Sequence, residues 1–314
     1  MNQFAHDVLE GLQSQPKYLS SKYFYDEKGD ELFQRIMSLD EYYLTRTEFD
    51  ILDTHKGAIL ESFTKSTQRF NLIEFGAGDG YKTKILLRYF LEQNEDFTYL
   101  PIDISSNVLN ILETALKSEM PNLQVSGLQN DYFMALSELK QSPDRNVVLF
   151  LGSNIGNFTG DQAIDFLKKL GQSLKKDDLL FIGFDLKKDP RVILKAYNDG
   201  DGVTKAFNLN LLTRINQELG GNFDLAKFQH APIYNPLTGT TSSFLVSTER
   251  QIVEIMDAAI QFDAWEAIHM EISQKYDQKM IQNLAADSGF EITDSFTDDK
   301  NYFLNSIWRK LSSE

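Results

Sequence analysis

The spacing of hydrophobic residues follows two successive patterns along this chain. Apolar residues recur at helical spacing at Leu32, Phe33, Ile36 and Met37, which predicts that the first sixty residues are mainly helical. From Phe70 onward, short apolar runs of strand length alternate with longer amphipathic segments. This alternation predicts an α/β fold in which a parallel sheet is covered by helices on both faces.

Five strands and the four helices between them support this prediction. The expected strands are residues 70–75, 97–104, 123–128, 146–151 and 179–186. The expected helices are residues 82–91, 107–116, 133–139 and 160–174. The fourth and fifth strands are almost entirely apolar, so we expect them at the centre of the sheet, where both faces are buried.

The strand–helix alternation stops after Leu186. Residues 187–220 have helical spacing, residues 228–247 are predicted to be extended around a turn, and residues 265–276 are predicted to form a strand. A helix over 278–288 and a terminal hairpin, 290–297 with 302–308, complete the chain. We find no linker rich in Pro, Gly or Ser, so a second domain must be built by insertion or by returning chain.

Composition narrows the chemistry that this fold can carry. The 314 residues include no cysteine, which excludes disulfides, thiolate nucleophiles and cysteine-ligated metals. The net charge of −15 argues against nucleic acid or an anionic membrane as a partner. The longest apolar runs are too short to span a bilayer, and the N-terminus lacks the features of a secretory signal. We therefore expect a cytoplasmic protein, and we expect it to be a monomer.

A glycine-rich turn follows the first predicted strand. Residues 74–80 read EFGAGDG, and a helix is expected to begin just beyond them. A dinucleotide fingerprint would need glycine at position 81, where the chain has Tyr81, and no P-loop motif occurs. The G-x-G-x-G spacing resembles motif I of class I S-adenosylmethionine-dependent methyltransferases. An ordinary strand-to-helix turn is the alternative interpretation.

Acidic residues follow the next two predicted strands. Asp103 comes at the end of the second strand, where a carboxylate can accept hydrogen bonds from both hydroxyls of a ribose. Asn130, Asp131 and Tyr132 follow the third strand, where the acid could bind an adenine amino group and the ring could stack beside it. Each signal alone also fits a solvated surface residue, but their order at successive strand ends favours cofactor binding.

Segments along the chain, including part of the glycine turn, resemble one family, the histidine-specific S-adenosylmethionine-dependent methyltransferases. This family includes enzymes that trimethylate the α-amino group of L-histidine to hercynine in ergothioneine biosynthesis. The resemblance extends over nearly the whole chain. The matching segments are KYFYD (22–26), EYYLTRTE (41–48), GDGYKT (78–83), FLGSNIGN (150–157), DLKKD (185–189), AYND (196–199), GVT (202–204) and EISQKY (271–276).

The resemblance implies a class I, Rossmann-like methyltransferase domain with a terminal antiparallel hairpin, formed by residues 49–187 and 276–314. It also implies a discontinuous substrate-binding domain formed by residues 1–48 and 188–275. The implied cofactor is S-adenosylmethionine, and the implied partner is a small-molecule substrate, L-histidine or a related amino acid.

The resemblance also implies roles for individual positions. Asn157 and Tyr197 match residues that hold the substrate carboxylate, and Tyr25 matches a tyrosine near the reacting amine, with Tyr25 and Asn157 expected to orient that amine. The residues matching those around the imidazole are Tyr42, Glu271 and Ser273. The residues expected to contact or line the cofactor site are Gly76, Gly78, Lys82, Asp103, Asp131, Tyr132, Gly152 and Ser153.

Each implied role competes with a structural alternative. A tyrosine among the 13 in this chain could simply pack in a core, Asn157 could cap the helix that begins near Thr159, and Lys82 could be a solvated residue of a first helical turn. Two positions depart from the family pattern: Asn154 replaces a small hydroxyl residue, and Ser243 replaces a methionine expected beside the imidazole.

These departures leave room for a different small amine as acceptor. A non-catalytic cofactor-binding module is an alternative from another class of protein. No metal site is expected, because the four histidines are scattered without ligand spacing.

Overall fold

A computed structural model of the chain describes residues 2–65, 69–103, 106–130, 132–140 and 142–311. Its helices are α1 (Gln3–Gln13), α2 (Glu27–Ser38), α3 (Tyr43–Thr64), α4 (Thr83–Glu92), α5 (Ser106–Glu119), α6 (Tyr132–Leu139), α7 (Gly160–Ser173), α8 (Pro190–Tyr197), α9 (Val203–Leu219) and α10 (Gln278–Asp287).

Its strands, in chain order, are β1 (Lys17–Tyr18), β2 (Arg69–Phe75), β3 (Asp96–Asp103), β4 (Leu128–Gln129), β5 (Arg145–Phe150), β6 (Leu179–Asp185), β7 (Phe228–His230), β8 (Ile233–Asn235), β9 (Thr240–Ser247), β10 (Gln251–Ile255), β11 (Ala258–Phe262), β12 (Ala267–Gln274), β13 (Phe290–Thr297) and β14 (Phe303–Lys310). None of the helices within the described ranges is long and apolar enough to cross a bilayer.

Contacts divide the chain into two compact units, each made of discontinuous segments. The first unit, here called the insertion unit, is Met1–Tyr43 with Lys188–Gln274. The second, the sheet unit, is Leu44–Lys187 with Lys275–Glu314. The boundaries expected at 48/49 and 275/276 fall slightly later along the chain than these.

Among the described residues, the sheet unit has seven strands in the order β13-β14-β6-β5-β2-β3-β4. The five strands from β6 to β4 are parallel to their neighbours, and β14 runs antiparallel to both β6 and β13. The predicted parallel α/β sheet with a terminal antiparallel hairpin is confirmed. Every residue of β6 is buried, as is all of β5 after its first residue, which explains their continuous apolar sequences.

The third predicted strand is much shorter than expected. The pattern at 123–128 predicted a full strand, whereas β4 contains only Leu128 and Gln129, preceded by one isolated bridge between Val125 and Tyr99. Leu123 is 6% exposed and packs in the core as part of an irregular segment. Apolar residues of a loop can be buried as well as those of a strand. The apolar pattern at 123–128 therefore did not distinguish a strand from a buried loop.

The insertion unit is built around a separate, mostly antiparallel sheet. Its order is β1-β12-β9-β7, with β8 also pairing with β9, and residues of α9 share a hydrophobic core with residues of this sheet. A further hairpin, β10 with β11, was missed by the sequence interpretation. Its buried residues alternate along each strand, a period-two signal that was available in the sequence.

The helical region predicted at 187–220 is two helices. The helix α8 begins with Pro190 in its first turn, where a missing backbone N–H costs little, and Asp189 caps it by accepting from the N–H of Arg191 at 2.9 Å. Gly202 then adopts a φ of 70° immediately before α9. This left-handed backbone breaks the helix, which separates Tyr197 at the end of α8 from the residues of α9.

Candidate functional site

The glycine turn joins the carboxyl end of β2 to α4 in the sheet unit. Gly76 and Gly78 have φ angles of 67° and 56°, in the left-handed region that glycine adopts without strain. A Cβ added at Gly78 would meet no heavy atom within 4 Å. Glycine is therefore needed here for its backbone conformation, and the open side of the loop leaves space for a ligand beside the backbone.

A buried carboxylate links the strand before this turn to the helix after it. Glu74, on β2, is 5% exposed and accepts hydrogen bonds from Thr83 Oγ1 at 2.6 Å and from the hydroxyl of Tyr99. Burial raises the pKa of Glu74 to about 7, although these two hydrogen bonds and the charge of Lys82 act in the opposite direction. Glu74 therefore changes its protonation state near neutral pH.

This raised pKa makes the stability of the protein depend on pH. Because folded Glu74 binds a proton more tightly than unfolded Glu74, we expect its contribution to fall as pH rises from about 4.5 through about 7, by about 3 kcal/mol in all. We expect the stability of Glu74→Gln, which cannot ionise, to rise relative to that of the parent by about 2.5 kcal/mol from pH 5 to pH 8. Urea unfolding at both pH values measures the difference, and a difference independent of pH would contradict the shift.

Asp103 lies at the same edge of the sheet as this turn. The strands β2 and β3 are parallel neighbours in which Phe75 pairs with Ile102, so Asp103, which ends β3, lies beside Gly76, which follows β2. The backbone N–H of Gly76 donates to the carbonyl of Ile102 at 3.4 Å. The half-buried Asp103 therefore has the position expected for a carboxylate that binds a diol near the loop.

Two predicted cofactor residues can be located only partly. Asp131 lies outside the described residues. Tyr132 begins α6, but its side chain also lies outside the described part of the structure. The roles of both residues stay predictions from the sequence.

The loop after β5 contributes two more of the predicted residues. Gly152 and Ser153 have φ angles of 75° and 56°, so the chain turns sharply at the end of the strand. Ser153 is 3% exposed, and its Oγ accepts from the backbone N–H of Asp185 at 2.9 Å. This hydroxyl therefore anchors the loop to β6. The backbone of the loop, and not the Ser153 side chain, is then the part that could line a ligand site.

Lys82 is held by a second buried carboxylate. Its Nζ forms an ion pair with Glu48 of α3, and the Lys82 side chain is 21% exposed while that of Glu48 is fully buried. Lys82 is thus not the freely solvated helix residue that the sequence allowed as an alternative. Glu48 was not among the predicted site residues, because its position in the first turns of a helix gives no local sign of its partners.

Two of the three predicted imidazole residues, Glu271 and Ser273, lie on one face of the sheet in the insertion unit. Glu271 and Ser273 are two residues apart on β12. In the antiparallel pairing with β9, they lie opposite Ser243 and Thr241. Ser243 is fully buried and donates through Oγ to Glu271 Oε1 at 3.1 Å. These four polar side chains therefore form a cluster on a sheet whose neighbouring positions, such as Leu245, are core residues.

One member of this cluster has an unused hydrogen-bonding group. Thr241 is 1% exposed, and its Oγ1 has no hydrogen-bond partner among the described residues. A buried hydroxyl without a partner is costly, because its hydrogen bonds to water are lost on folding. The polar cluster is therefore suited to a small polar ligand.

Aromatic side chains connect two of the predicted tyrosines. The ring centroid of Tyr25 lies 5.5 Å from that of Phe33 and 5.7 Å from that of Phe207. Tyr42 also contacts Phe33, with 6.4 Å between the ring centroids. The half-buried Tyr42 and the half-exposed Tyr25 therefore belong to one aromatic cluster in the insertion unit.

The hydroxyl of Tyr25 is electrostatically coupled to the polar cluster. Burial of this hydroxyl, followed by the negative charge of Glu271, raises the pKa of Tyr25 well above its usual range, and Tyr197 contributes in the same direction. Tyr25 therefore stays protonated at neutral pH. The charge of Glu271 therefore acts on the hydroxyl of Tyr25 within the insertion unit.

The two residues predicted to hold a substrate carboxylate occupy different units. Tyr197 is 8% exposed at the end of α8 in the insertion unit. Asn157 is exposed and ends a short 3-10 helix, Asn154–Asn157, in the sheet unit. Thr159, not Asn157, caps the following helix α7. The structural alternative for Asn157 is therefore wrong, and its side chain is left without a capping role.

Comparison with known proteins adds to this geometry. Residues 4–310 match a family described as histidine-specific methyltransferase, SAM-dependent. Histidine N-alpha-methyltransferase of Mycobacterium tuberculosis is 34% identical over 97% of this chain and 94% of that protein. The protein of the same name from Mycolicibacterium smegmatis is 34% identical over 93% and 90% of the two chains. Ergothioneine biosynthesis protein 1 of Schizosaccharomyces pombe is 27% identical over 88% of this chain and 37% of that protein.

Proposed function

Because this chain belongs to the family of histidine-specific, S-adenosylmethionine-dependent methyltransferases, we propose that it methylates the α-amino group of L-histidine, leading to trimethylated hercynine. The observation that carries the choice of acceptor is the cluster of Glu271 and Ser273 with their partners on β9. An imidazole offers one N–H donor and one acceptor nitrogen, which a carboxylate and a hydroxyl can satisfy together. A purely apolar side chain in the acceptor would offer these groups no hydrogen bond.

The cofactor residues are proposed at the carboxyl edge of the parallel sheet. Gly76, Gly78 and Gly152 supply backbone in sharp turns, Asp103 supplies a carboxylate for the ribose, and Lys82 is held nearby. The further proposed contacts, predicted from the sequence, are Asp131, Tyr132 and Ser153. When bound, S-adenosylmethionine supplies the electrophilic methyl group and the leaving group, so the protein has to bind and orient rather than activate by metal or thiol chemistry.

The chain's own residues have the remaining tasks of holding and orienting the amine. We propose that Asn157 and Tyr197 hold the substrate carboxylate and that Tyr42 packs against the imidazole. Tyr25 keeps its proton at neutral pH, so its oxygen can accept a hydrogen bond from a neutral amine but the residue does not act as a phenolate base. Its proposed role, shared with Asn157, is to orient the nitrogen lone pair.

We expect Tyr25→Phe to lower kcat with L-histidine by roughly fivefold, because one oriented hydrogen bond contributes about 1 kcal/mol and is lost with the hydroxyl. Tyr23→Phe is a matched control, since it removes a hydroxyl from the same segment, one that donates to Asp7 at 2.7 Å. Steady-state kinetics at saturating cofactor provide the measurement. The orienting role would be excluded if both variants methylated at the parent rate.

Mass spectrometry of the products tests the proposed acceptor. The protein is incubated with S-adenosylmethionine and, separately, with histidine, other aromatic amino acids and histamine, which has the imidazole but no carboxylate. We expect mono-, di- and trimethylated histidine, with fragmentation placing the methyl groups on the α-nitrogen. Preferential methylation of another amino acid would establish the alternative that Ser243 leaves open, because serine is smaller than the methionine expected there.

The monomeric state and the cytoplasmic location stay predictions from the sequence.

A further inference from the structure

The carboxylate of Glu48 is buried in the sheet unit, and three donors among the described residues are directed at it. The side chain of Glu48 has no exposed surface. The backbone N–H of Gly152 donates to Oε2 at 2.9 Å, and the Nδ2 of Asn305 donates to Oε1 at 2.9 Å. The ammonium of Lys82 forms an ion pair with Oε2. One acid therefore joins α3, the start of α4, the loop after β5 and the strand β14.

The strand β6 leaves space for this carboxylate. A Cβ added at Gly183 would collide with Glu48 Oε1 and would lie 3.0 Å from a ring carbon of Phe303. Gly183 has no φ in the left-handed region, so its lack of a side chain is needed for room and not for backbone conformation. The position of the Glu48 carboxylate is thus fixed by packing as well as by its hydrogen bonds.

Two of the three partners of Glu48 belong to the proposed cofactor site. Lys82 Nζ lies 3.4 Å from the point that a Cβ on Gly152 would occupy, so the ammonium sits against the loop that follows β5. A lysine in this place adds a positive charge to a site proposed to bind a sulfonium cation. In a partly buried setting, two positive charges repel each other more strongly than they would in water.

We propose that Glu48 is a positioning residue of the cofactor site, which holds Lys82 and the Gly152 loop in place and neutralises the lysine so that the site accepts a positively charged sulfonium. This inference rests on the proposed binding of S-adenosylmethionine. It makes a charge-specific prediction, because S-adenosylhomocysteine has the same groups but a neutral sulfur. Loss of the Glu48 charge weakens binding of the cationic cofactor more than binding of the neutral product.

Calorimetric titration of Glu48→Gln with both ligands tests this inference. The substitution keeps the size of the side chain and an oxygen that can accept from Gly152, but it removes the negative charge beside Lys82. For an assumed separation of about 8 Å, a unit charge changes cation binding by roughly two- to thirtyfold for effective dielectric constants between about 80 and 20. We expect the ratio of the Kd for S-adenosylmethionine to the Kd for S-adenosylhomocysteine to rise by a factor in that range.

Asp178→Asn is the matched control. Asp178 is 1% exposed, accepts from the backbone N–H groups of Asn146 and Lys175 at 2.8 Å, and lies at the opposite, amino-terminal end of the sheet, just before β6. Both variants should lose thermal stability, since each disturbs a buried carboxylate with several donors. Only Glu48→Gln should change the ratio of the two dissociation constants.

The outcomes separate this inference from the proposed function. Asp103→Ala should weaken binding of both ligands if the cofactor lies at this edge of the sheet. If it does so while Glu48→Gln leaves the ratio unchanged, the role of Glu48 is overturned and the cofactor site stands. If Asp103→Ala changes neither dissociation constant, the proposed cofactor site itself is wrong. An equal weakening of both ligands by Glu48→Gln would show a structural role only.

Discussion

We expect Lys275→Met to lower the free energy of unfolding by about 3–5 kcal/mol, because it leaves a buried carboxylate without its charged partner. Lys275 Nζ lies 2.8 Å from Asp185 Oδ2, and both side chains are fully buried. A carboxylate that loses this partner must either keep an uncompensated charge in the interior or take up a proton.

The position of this ion pair adds to the expected effect. Asp185 ends β6, and its backbone accepts from the N–H of Tyr276 at 2.9 Å where the returning chain enters the sheet unit. The backbone N–H of Asp185 donates to Ser153 Oγ in the loop after β5. Disturbing the pair therefore affects three chain segments that meet at one strand end.

Lys187→Met is the matched control for this prediction. Lys187 Nζ lies 2.9 Å from Asp277 Oδ2, but the two side chains are 28% and 46% exposed. Partly exposed ion pairs contribute about 1 kcal/mol or less, since water screens the charges. Chemical denaturation of both variants at neutral pH measures the difference, and equal losses of stability would show that burial of the Asp185 pair has no special energetic role.

We expect Glu271→Gln to lower kcat/KM for L-histidine by roughly 10- to 100-fold, which corresponds to about 1.5–3 kcal/mol for one charge-assisted hydrogen bond. Ser243 donates to Oε1 of Glu271, and we propose that the carboxylate also accepts a hydrogen bond from an imidazole N–H of the substrate. A glutamine that keeps its oxygen toward Ser243 presents its NH₂ group to the imidazole, so that two donors face each other.

The same substitution at an exposed position controls for effects on the insertion unit. Glu254 lies on β10 and is exposed, so Glu254→Gln should leave both kinetics and stability unchanged. Initial rates over a range of histidine concentrations, together with thermal unfolding, provide the measurements. If Glu271→Gln folded normally and retained the parent kcat/KM, Glu271 would not select the imidazole.

Local sequence signals predicted the sheet unit well. The central strands are apolar on both faces, and this produces continuous runs that identify β5 and β6 without any tertiary information. The glycine turn was also visible, because a strand, a left-handed loop and a helix need particular residues at adjacent positions. The boundaries of β4 were missed because a buried loop and a strand have similar apolar content.

The insertion unit was harder to predict because its strands are short or lie far apart in the chain. The strand β1 has two residues and pairs in parallel with β12, more than 200 positions later. The hairpin β10–β11 carries the alternation of a two-stranded ribbon, but its exposed positions include the large apolar residue Ile252, which blurs the pattern. The partner of β1 is therefore set by packing of the folded chain and not by its local sequence.

The sequence by itself determined the parallel sheet, the terminal hairpin and the resemblance that points to cofactor and substrate, because these depend on period, turn residues and motifs within short stretches. Only the tertiary structure decided which groups meet. Glu48 reaches Gly152 across 104 positions and Lys82 across 34, and Thr241 lies beside Ser273 through strand register. Such contacts depend on strand order and packing of the whole chain, since a hydrogen bond between distant residues forms only after the free energy of burial has brought their segments together.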